Sequence, residues 1–217
     1  MNASLNELEN LCKKAARGAG LSWGLAEEAG KAARWLAAHG LEGAALLAAQ
    51  LQQDDGCPYP QLAPRVGDGP WQVPGHWMCP LIAGATLCDH GYLLRDGTTL
   101  QLADLASPVL LLPFASTTAR QLGMALELAW DACTVLFDSQ GTAFLQQAAG
   151  LDSRHATRVD CRRTCLTEHP GTALAGPLPA LHDDVQQALE RLAARTYVPA
   201  SEASRLLGAG AGLSDNN

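Results

Sequence analysis

The sequence predicts an α+β fold with an N-terminal helical segment, a central, mainly antiparallel sheet and a C-terminal helix. Three observations support this prediction. The first quarter of the chain has apolar residues at three- and four-residue spacing, which is typical of amphipathic helices. The middle contains short extended runs separated by turn residues at hairpin spacing. Near residue 181 the helical spacing returns.

Composition and charge exclude several classes of protein. The 217 residues include 38 Ala and 36 Leu and are 17% charged, which is enough apolar chain for a core and too little charge for a disordered polyelectrolyte. Residues 108–115 form the longest apolar run, far short of a membrane span. The net charge of −7 disfavours nucleic acid as a partner. We therefore expect no nucleic-acid partner and no membrane association.

The cell compartment is predicted from the N-terminus and the cysteines. Glu7 and Glu9 stand where a signal peptide needs a basic end and an apolar stretch. The seven cysteines are odd in number and irregularly spaced, which favours reduced thiols. We expect a cytoplasmic protein, and the excess of Ala and of Arg over Lys suggests a bacterial gene.

Three helices are expected in the N-terminal region, residues 1–55. A capping box at Ser4 begins the first, and the Gly-Ala-Gly sequence at 18–20 ends it. Ser22 caps the second, which Gly40 ends, and residues 41–53 form the third. Small residues at four-residue spacing in the second helix allow close approach of a partner. Packing within the chain is favoured there over a dimer face formed by Ala29, Ala33 and Ala37.

The remaining residues, 56–217, are expected to form an α+β body with a C-terminal helix and a Gly-rich tail, in one compact unit with the helical region. Residues 54–80 are rich in Pro and Gly, which excludes helix interiors and central strands. Because this segment also contains Trp71 and Trp77, we expect an ordered connection lying across the body of the protein.

The sheet is predicted from runs between turn signals. Asp96-Gly97 between two extended runs indicates a hairpin, and residues 109–112 read as a short buried strand. Residues 124–130 favour a strand, with a helix as the alternative. Further strands are expected at 133–137, 142–145 and 154–164, followed by a helix from Leu181. The three arginines of the last strand favour a solvated outer face over a basic binding stripe; they are Arg154, Arg158 and Arg162.

One group of residues has the donor types of a zinc site, in the pattern H-x2-C-x8-C-x-H. Imidazole and thiolate suit tetrahedral zinc, but the spacing matches no standard finger, and cysteine is commonly a small buried apolar residue. The prediction is that no metal and no cofactor is bound, with four candidate ligands kept as the alternative: His76, Cys79, Cys88 and His90.

The C-terminal stretch carries the candidate ligand site. A serine that caps a short helix offers free N–H groups to an anion, alternating glycines form an anion-binding backbone, and an arginine grips a carboxylate. The alternative is a flexible Gly/Ala tail. The predicted ligand-binding residues are Tyr197, Ser201, Ser204, Arg205, Gly208 and Gly210.

Three segments together resemble a known family: residues 17–30, Cys79-Pro80 leading to Gly84-Ala85 and Asp89, and residues 197–212. They resemble an uncharacterised bacterial family, domain of unknown function 3726, over most of the chain. The resemblance implies a bacterial cytosolic protein and supplies no activity or catalytic residue.

The function hypothesis is that this protein binds a small anionic metabolite near its C-terminal segment, with turnover left open. The chain lacks the G-x-S-x-G, H-E-x-x-H and P-loop motifs, which lowers the odds of the commonest hydrolases and nucleotide enzymes. The alternative is a non-catalytic accessory protein that forms a homo-oligomer or docks a partner through its Ala-rich helices.

Overall fold

The computed structural model describes residues 4–166 and 170–197, and the fold is α+β. The helices are α1 (Leu5–Gly18), α2 (Trp23–Ala38), α3 (Gly43–Asp54), α4 (Pro80–His90), α5 (Leu112–Leu122) and α6 (Asp183–Ala194). The strands are β1 (Leu100–Ala106), β2 (Leu126–Trp130), β3 (Cys133–Phe137), β4 (Ala143–Ala148), β5 (His155–Arg163) and β6 (Thr172–Ala173). Short 3-10 helices lie at Tyr59–Gln61, Gly91–Asp96 and Pro108–Leu111.

The N-terminal helices begin as the capping residues predict. Ser4 Oγ accepts a hydrogen bond from the Glu7 backbone N–H at 3.3 Å, and Glu7 Oε2 accepts one from the Ser4 N–H at 2.8 Å. Ser22 Oγ accepts one from the Leu25 N–H at 3.4 Å at the start of α2. Each serine satisfies a backbone donor that the first helical turn leaves without a partner.

Small residues bring these helices close together. Ala29, Ala33 and Ala37 of α2 are buried within the chain, which confirms packing inside the molecule for this stripe. A Cβ atom built on Gly18 or Gly43 would collide with backbone of α6 or α2. The helical layer of α1, α2, α3 and α6 therefore depends on side chains of minimal size.

All neighbouring strands of the sheet are antiparallel, in the order β1-β5-β2-β3-β4-β6. The register places Leu100, Cys161, Leu128 and Val135 in one buried row across the first four strands. Helix α5 packs against β2 and β3. The predicted strands in residues 124–164 are confirmed.

The opposite face of the sheet carries paired charges. Arg158 lies 2.9 Å from Asp160, and Arg162 lies 2.7 Å from Glu127. These arginines are exposed, so the solvated outer face favoured from the sequence is confirmed.

The Pro- and Gly-rich connection lies across the body, as predicted, and it covers the outer edge of β1. The Trp71 N–H donates to the Gln101 carbonyl at 2.7 Å, and the Met78 N–H donates to the Asp104 carbonyl at 2.7 Å. Trp71 is fully buried, whereas Trp77 is exposed and contacts the ring of His155. This pairing protects a strand edge that would otherwise be open to association.

The predicted hairpin at Asp96-Gly97 is wrong. The preceding residues form α4 and the 3-10 helix Gly91–Asp96, and Gly97 ends that helix with a φ of 80°. Glycine adopts this left-handed conformation without steric cost, at a helix end as readily as in a turn. The same two residues therefore have two interpretations, and only the structure distinguishes them.

The predicted strand at 109–112 is also wrong. Residues Pro108–Leu111 form a 3-10 helix that leads into α5, and Pro113 lies in the first turn of α5. Proline is tolerated there because the first helical N–H groups have no partner in the helix. All four residues of the run are buried, and a fully apolar run does not reveal its period.

The expected helix from Leu181 is confirmed as α6, with Asp183 and Asp184 in its first turn. None of the helices in the described ranges combines the length and apolar character that a membrane span needs.

Candidate functional site

The zinc-type residues are not brought together. Cys79 immediately precedes α4 and Cys88 lies on it, so nine helical residues separate them by about 13 Å along the axis. The Cys88 thiol lies 3.6 Å from the Phe114 carbonyl, and His90 packs against Trp71. Among the described residues no group of three or more His, Cys, Asp or Glu side chains is placed to hold a metal ion. The alternative ligand set, which includes the exposed His76, is therefore not assembled.

The predicted C-terminal ligand site falls almost entirely outside the described residues. This applies to Ser201, Ser204, Arg205, Gly208 and Gly210. Tyr197 is described: its ring is exposed and lies under Lys14 Nζ, 5.9 Å from the ring centre. The anion site at this segment stays a prediction.

A cavity that the sequence did not predict lies in the helical layer, where the ends of α1 and α3 meet the starts of α2 and α4. Its volume is about 70 Å³. Its wall is mostly apolar, and no Lys, Arg or His contributes to it. The lining residues are Ala19, Gly20, Leu21, Ser22, Leu25, Leu51, Asp54, Cys57, Tyr59, Leu62 and Ile82. We call this the α3 cavity.

Backbone hydrogen bonds fix the segments around the α3 cavity. The Leu21 N–H donates to the Ala16 carbonyl at 3.2 Å, and Gly20 before it has a φ of 104°. The Cys57 N–H donates to the Asp54 carbonyl at 2.9 Å, and the Cys79 N–H donates to the Leu62 carbonyl at 3.1 Å. The connection is thereby held against the ends of the helices.

Asp54 is the charged group of this cavity. It is the last residue of α3 and only 7% exposed. Gln50, one turn earlier, donates from Nε2 to Asp54 Oδ1 at 2.9 Å. The other carboxyl oxygen, Oδ2, accepts no N–H or O–H, and the donor beside the carboxyl is the weakly donating Cys79 thiol. Gln50 Oε1 has no partner either. Within the described ranges these are the only buried side-chain nitrogen or oxygen atoms without one.

Burial changes the protonation of this cluster. Burial raises the pKa of Asp54, while the Cys79 thiol and the Gln50 amide beside the carboxyl act to lower it. Burial, together with the charge of Asp54, raises the pKa of the Cys79 thiol well above its ordinary range, although the backbone N–H groups of Ile82 and Leu81 oppose this. The thiol therefore stays protonated and is not an activated nucleophile. The chemistry available here is hydrogen bonding and proton exchange by Asp54.

The charges next to the cavity are already paired. Asp55 accepts two hydrogen bonds from Arg195, at 2.7 and 2.9 Å, which fixes the end of α6 beside the end of α3. Arg17 donates to the Leu21 carbonyl at 2.8 Å, and its guanidinium lies 5.2 Å from the centre of the Trp23 ring. Among the described residues, Asp54 thus has no basic partner.

Aromatic side chains lie at the outer end of the cavity. Tyr59 is one of the lining residues and more than half exposed, and Trp23, directly after the lining residue Ser22, is exposed to a similar extent. Large exposed aromatic rings are common at binding surfaces because they bury much area at low entropic cost.

Two other clefts are larger, and none of their described lining residues has an unpaired buried polar atom. One, of about 330 Å³, lies between residues 67–71 and 98–101, and the other, of about 310 Å³, is formed by Leu41, Leu46, Val109 and Leu151 with neighbouring residues. The α3 cavity is smaller and chemically more specific.

Sequence analysis missed Asp54 and Tyr59, although one signal was available. Leu47, Leu51 and Asp54 follow one another at helical spacing, so an acidic residue continues an apolar stripe. Such a residue is either at the end of its helix or buried, and Asp54 is both.

Comparison with known proteins identifies a family for the N-terminal part of the chain only. No curated protein matches the chain, and no solved structure does. The model of a family described as "Protein of unknown function (DUF3726)" matches residues 3–74. This segment contains α1, α2, α3 and most lining residues of the α3 cavity. Over about its first third, the chain is similar to the DUF3726 family, as the resemblance of residues 17–30 indicated.

Proposed function

We propose that this protein binds a small organic molecule in the α3 cavity. The observation that carries the proposal is the unpaired Asp54 Oδ2, in a side chain that is 93% buried and lines the cavity. A buried acceptor without a partner costs about 1–3 kcal/mol. A ligand that donates a hydrogen bond to this oxygen would remove that cost.

The shape and wall of the cavity support a specific kind of ligand. The volume of about 70 Å³ is below the usual range of about 300–1,000 Å³ for drug-sized ligands, so the cavity admits a small molecule or one end of a larger one. Leu21, Leu25, Leu51, Leu62 and Ile82 provide apolar contacts, and Asp54 provides one directional polar contact. The ligand is therefore a small molecule with a short apolar part and a hydrogen-bond donor at one end.

The α3 cavity does not suit the anionic metabolite predicted from the C-terminal segment. An anion there would face the Asp54 carboxyl, with no basic side chain in the wall to offset the repulsion. Anion binding by Ser201, Ser204 and Arg205 is a separate proposal for the C-terminal segment, supported by their residue types alone.

The accessory-protein alternative has less support. Its docking surface was the stripe of Ala29, Ala33 and Ala37, and these side chains are packed inside the helical layer. No observation identifies another surface on the Ala-rich helices for a partner, so small-molecule binding is the function that we favour.

A fragment screen by thermal shift, followed by titration, tests the proposal. Small fragments with one donor and a short apolar group should stabilise the wild type, by about 2.7 kcal/mol at a hundred times Kd. Asp54→Asn, which places an amide where Oδ2 lies, should weaken binding at least tenfold. Asp96→Asn, at an exposed aspartate, is the matched control and should bind normally. Equal binding by all three proteins, or binding by none, contradicts the proposal.

A further inference from the structure

We propose that a second ligand site lies in the apolar cleft of about 310 Å³, and that it takes an amphiphile with a compact apolar body and an amine head group. We call this cleft the seam groove, because it lies where the helical layer meets the sheet. The site is separate from the α3 cavity, since the two share no lining residue among those that the structure describes. Its apolar lining residues are Leu41, Leu46, Val109, Ala148 and Leu151.

Separate segments of the chain supply this apolar wall. Leu41 precedes α3 and Leu46 lies near the start of that helix, whereas Val109 belongs to the 3-10 helix before α5. Ala148 ends β4, and Leu151 lies in the turn that follows it. The volume of the groove is within the usual range of about 300–1,000 Å³ for small-molecule sites, which are typically apolar clefts with a few polar groups. The seam groove has the size and the wall of such a site.

Backbone hydrogen bonds hold both sides of the groove in place. On the helical side, the Leu41 N–H donates to the Leu36 carbonyl at 2.9 Å. On the sheet side, the Leu151 N–H donates to the Ala148 carbonyl at 3.0 Å. The groove is therefore formed before a ligand arrives, and binding requires little further ordering of the chain.

The apolar wall supplies the affinity for the body of the ligand. Leu41, Leu46 and Leu151 each keep part of their surface exposed, because no other described side chain covers them fully. Removing apolar surface from water is the main driving force of most association reactions. A compact apolar group seated between these leucines would remove that surface from water.

The charged residues of the groove determine the head group. The charged lining residues in the described ranges are both acids, Glu42 and Asp152. Both are exposed, and neither takes part in an ion pair with another described residue. Glu42 directly precedes α3, so the positive end of that helix offsets part of its charge, whereas Asp152 lies in a turn. The groove therefore carries a net negative charge, which favours a cationic head group and disfavours an anionic one.

Three probes with the same ring test the proposal: cyclohexylmethylamine, cyclohexylmethanol and cyclohexanecarboxylate. Each is titrated near pH 7 against the full chain, and the leucine methyl signals are followed by NMR. The amine should bind at least about threefold more tightly than the alcohol, as expected for exposed charge pairs, and the carboxylate should bind most weakly. The methyl signals of Leu46 and Leu151 should shift during the amine titration, because these side chains line the groove.

A pair of alanine variants locates the site. Ala148→Leu places a larger side chain in the groove and should weaken amine binding at least about tenfold through steric exclusion. Ala149→Leu is the matched control, because Ala149 is the next residue, is also exposed and does not line the groove, so this variant should bind the amine normally.

Charge variants test the head group separately. The double variant Glu42→Gln, Asp152→Asn keeps the shape of the groove and should bring the amine to the affinity of the alcohol. Asp96→Asn removes an exposed charge outside the groove and should keep the threefold preference of about the wild-type size.

Several results would overturn the proposal. These are equal affinity for the three probes, binding of none of them, and amine binding that Ala148→Leu leaves unchanged. A second copy of the chain covering the groove would overturn it as well, and light scattering would then show a dimer that Ala148→Leu dissociates. The variants leave the wall of the α3 cavity intact, so none of these results decides the binding function proposed for that cavity.

Discussion

The two sides of the core are built from different side chains. The cluster against the sheet contains 26 buried residues, five of them alanine, and includes Trp71, Trp130 and Phe137. The cluster within the helical layer contains 22 buried residues, nine of them alanine. Large aromatic rings fill the space between the sheet and the helices that cover it. Alanine side chains in the helical layer let the helix backbones approach closely, but they are too small to fill the space where the helices end.

Buried polar side chains also differ between the two sides, in whether their hydrogen-bonding atoms have partners. In α5, next to the sheet, the buried Ser116 donates to the Gly141 carbonyl at 2.7 Å and the buried Thr118 donates to the Phe114 carbonyl at 2.9 Å. In the helical layer, Asp54 and Gln50 each retain an unpaired acceptor. A satisfied polar group fixes structure, whereas an unsatisfied one beside a cavity is available to a ligand. We therefore expect stability to depend mainly on the sheet side, and the binding that we propose belongs to the helical side.

The largest expected effect tests the sheet side. Trp130→Ala should lower the free energy of unfolding by about 3–5 kcal/mol, because it removes a fully buried ring and leaves a cavity. It also removes the 2.8 Å hydrogen bond from Nε1 to the Gly150 carbonyl. Denaturant unfolding measures the change.

The control for this variant is a tryptophan of the helical side. Trp23 is 59% exposed, so Trp23→Ala should change stability by less than about 0.5 kcal/mol. If both variants lost the same stability, the division of the core between the two sides would be wrong.

A smaller effect is expected from close packing in the helical layer. A Cβ at Gly18 would overlap the Leu192 carbonyl of α6, so Gly18→Ala should cost about 1–3 kcal/mol through overpacking. Gly24, in the first turn of α2, has open space around it, and Gly24→Ala should instead stabilise by up to about 1 kcal/mol. Thermal unfolding of the two variants compares them; a stabilising effect at Gly18 would show that the helices are not held at this distance.

The helical layer was also the part that the sequence predicted best. Its helices carry their own start and stop signals in Ser4, Ser22 and the glycines that follow each helix, and these signals act within a few residues. The strands of residues 126–163 were readable because their apolar residues alternate between turns. Local patterns therefore fixed most elements of both regions.

The sequence did not predict the 3-10 helices Gly91–Asp96 and Pro108–Leu111 in this way. The run at 108–112 is buried on every side, so it has no apolar face to reveal a helical or extended period. Asp96-Gly97 serves equally as a turn or a helix end. In both places tertiary packing, which a single sequence does not encode locally, decides the conformation.

The α3 cavity was beyond prediction for a related reason. Its wall combines the ends of separate helices with part of the Pro-rich connection, and the distance between Asp54 and Tyr59 in the sequence says nothing about the shape between them. The C-terminal segment attracted attention instead because its glycines form a visible pattern. Sequence analysis finds sites made of one segment more readily than sites made of several.

The smallest expected effect is a change in the pH dependence of stability, caused by the buried carboxyl of Asp54 on the helical side. Because burial raises the pKa of Asp54, the folded state holds its proton to higher pH than the unfolded state does, where the pKa is about 3.9. The favourable contribution of the protonated acid is complete below the unfolded pKa and is lost as pH rises through the folded one. Asp54→Asn removes this dependence. Its free energy of unfolding, relative to wild type, should therefore rise between pH 4 and pH 8, as urea unfolding at several pH values would measure.

Asp96→Asn serves as the control here too, because Asp96 is exposed and its replacement leaves the buried acid in place. The curve of this variant should run parallel to that of the wild type. A proton on Asp54 removes the charge that burial disfavours, so acid stabilises the wild type but not Asp54→Asn. An Asp54→Asn curve that also ran parallel to the wild type would mean that Asp54 ionises in the folded protein as easily as in water. The helical side would then differ from the sheet side in side-chain size alone.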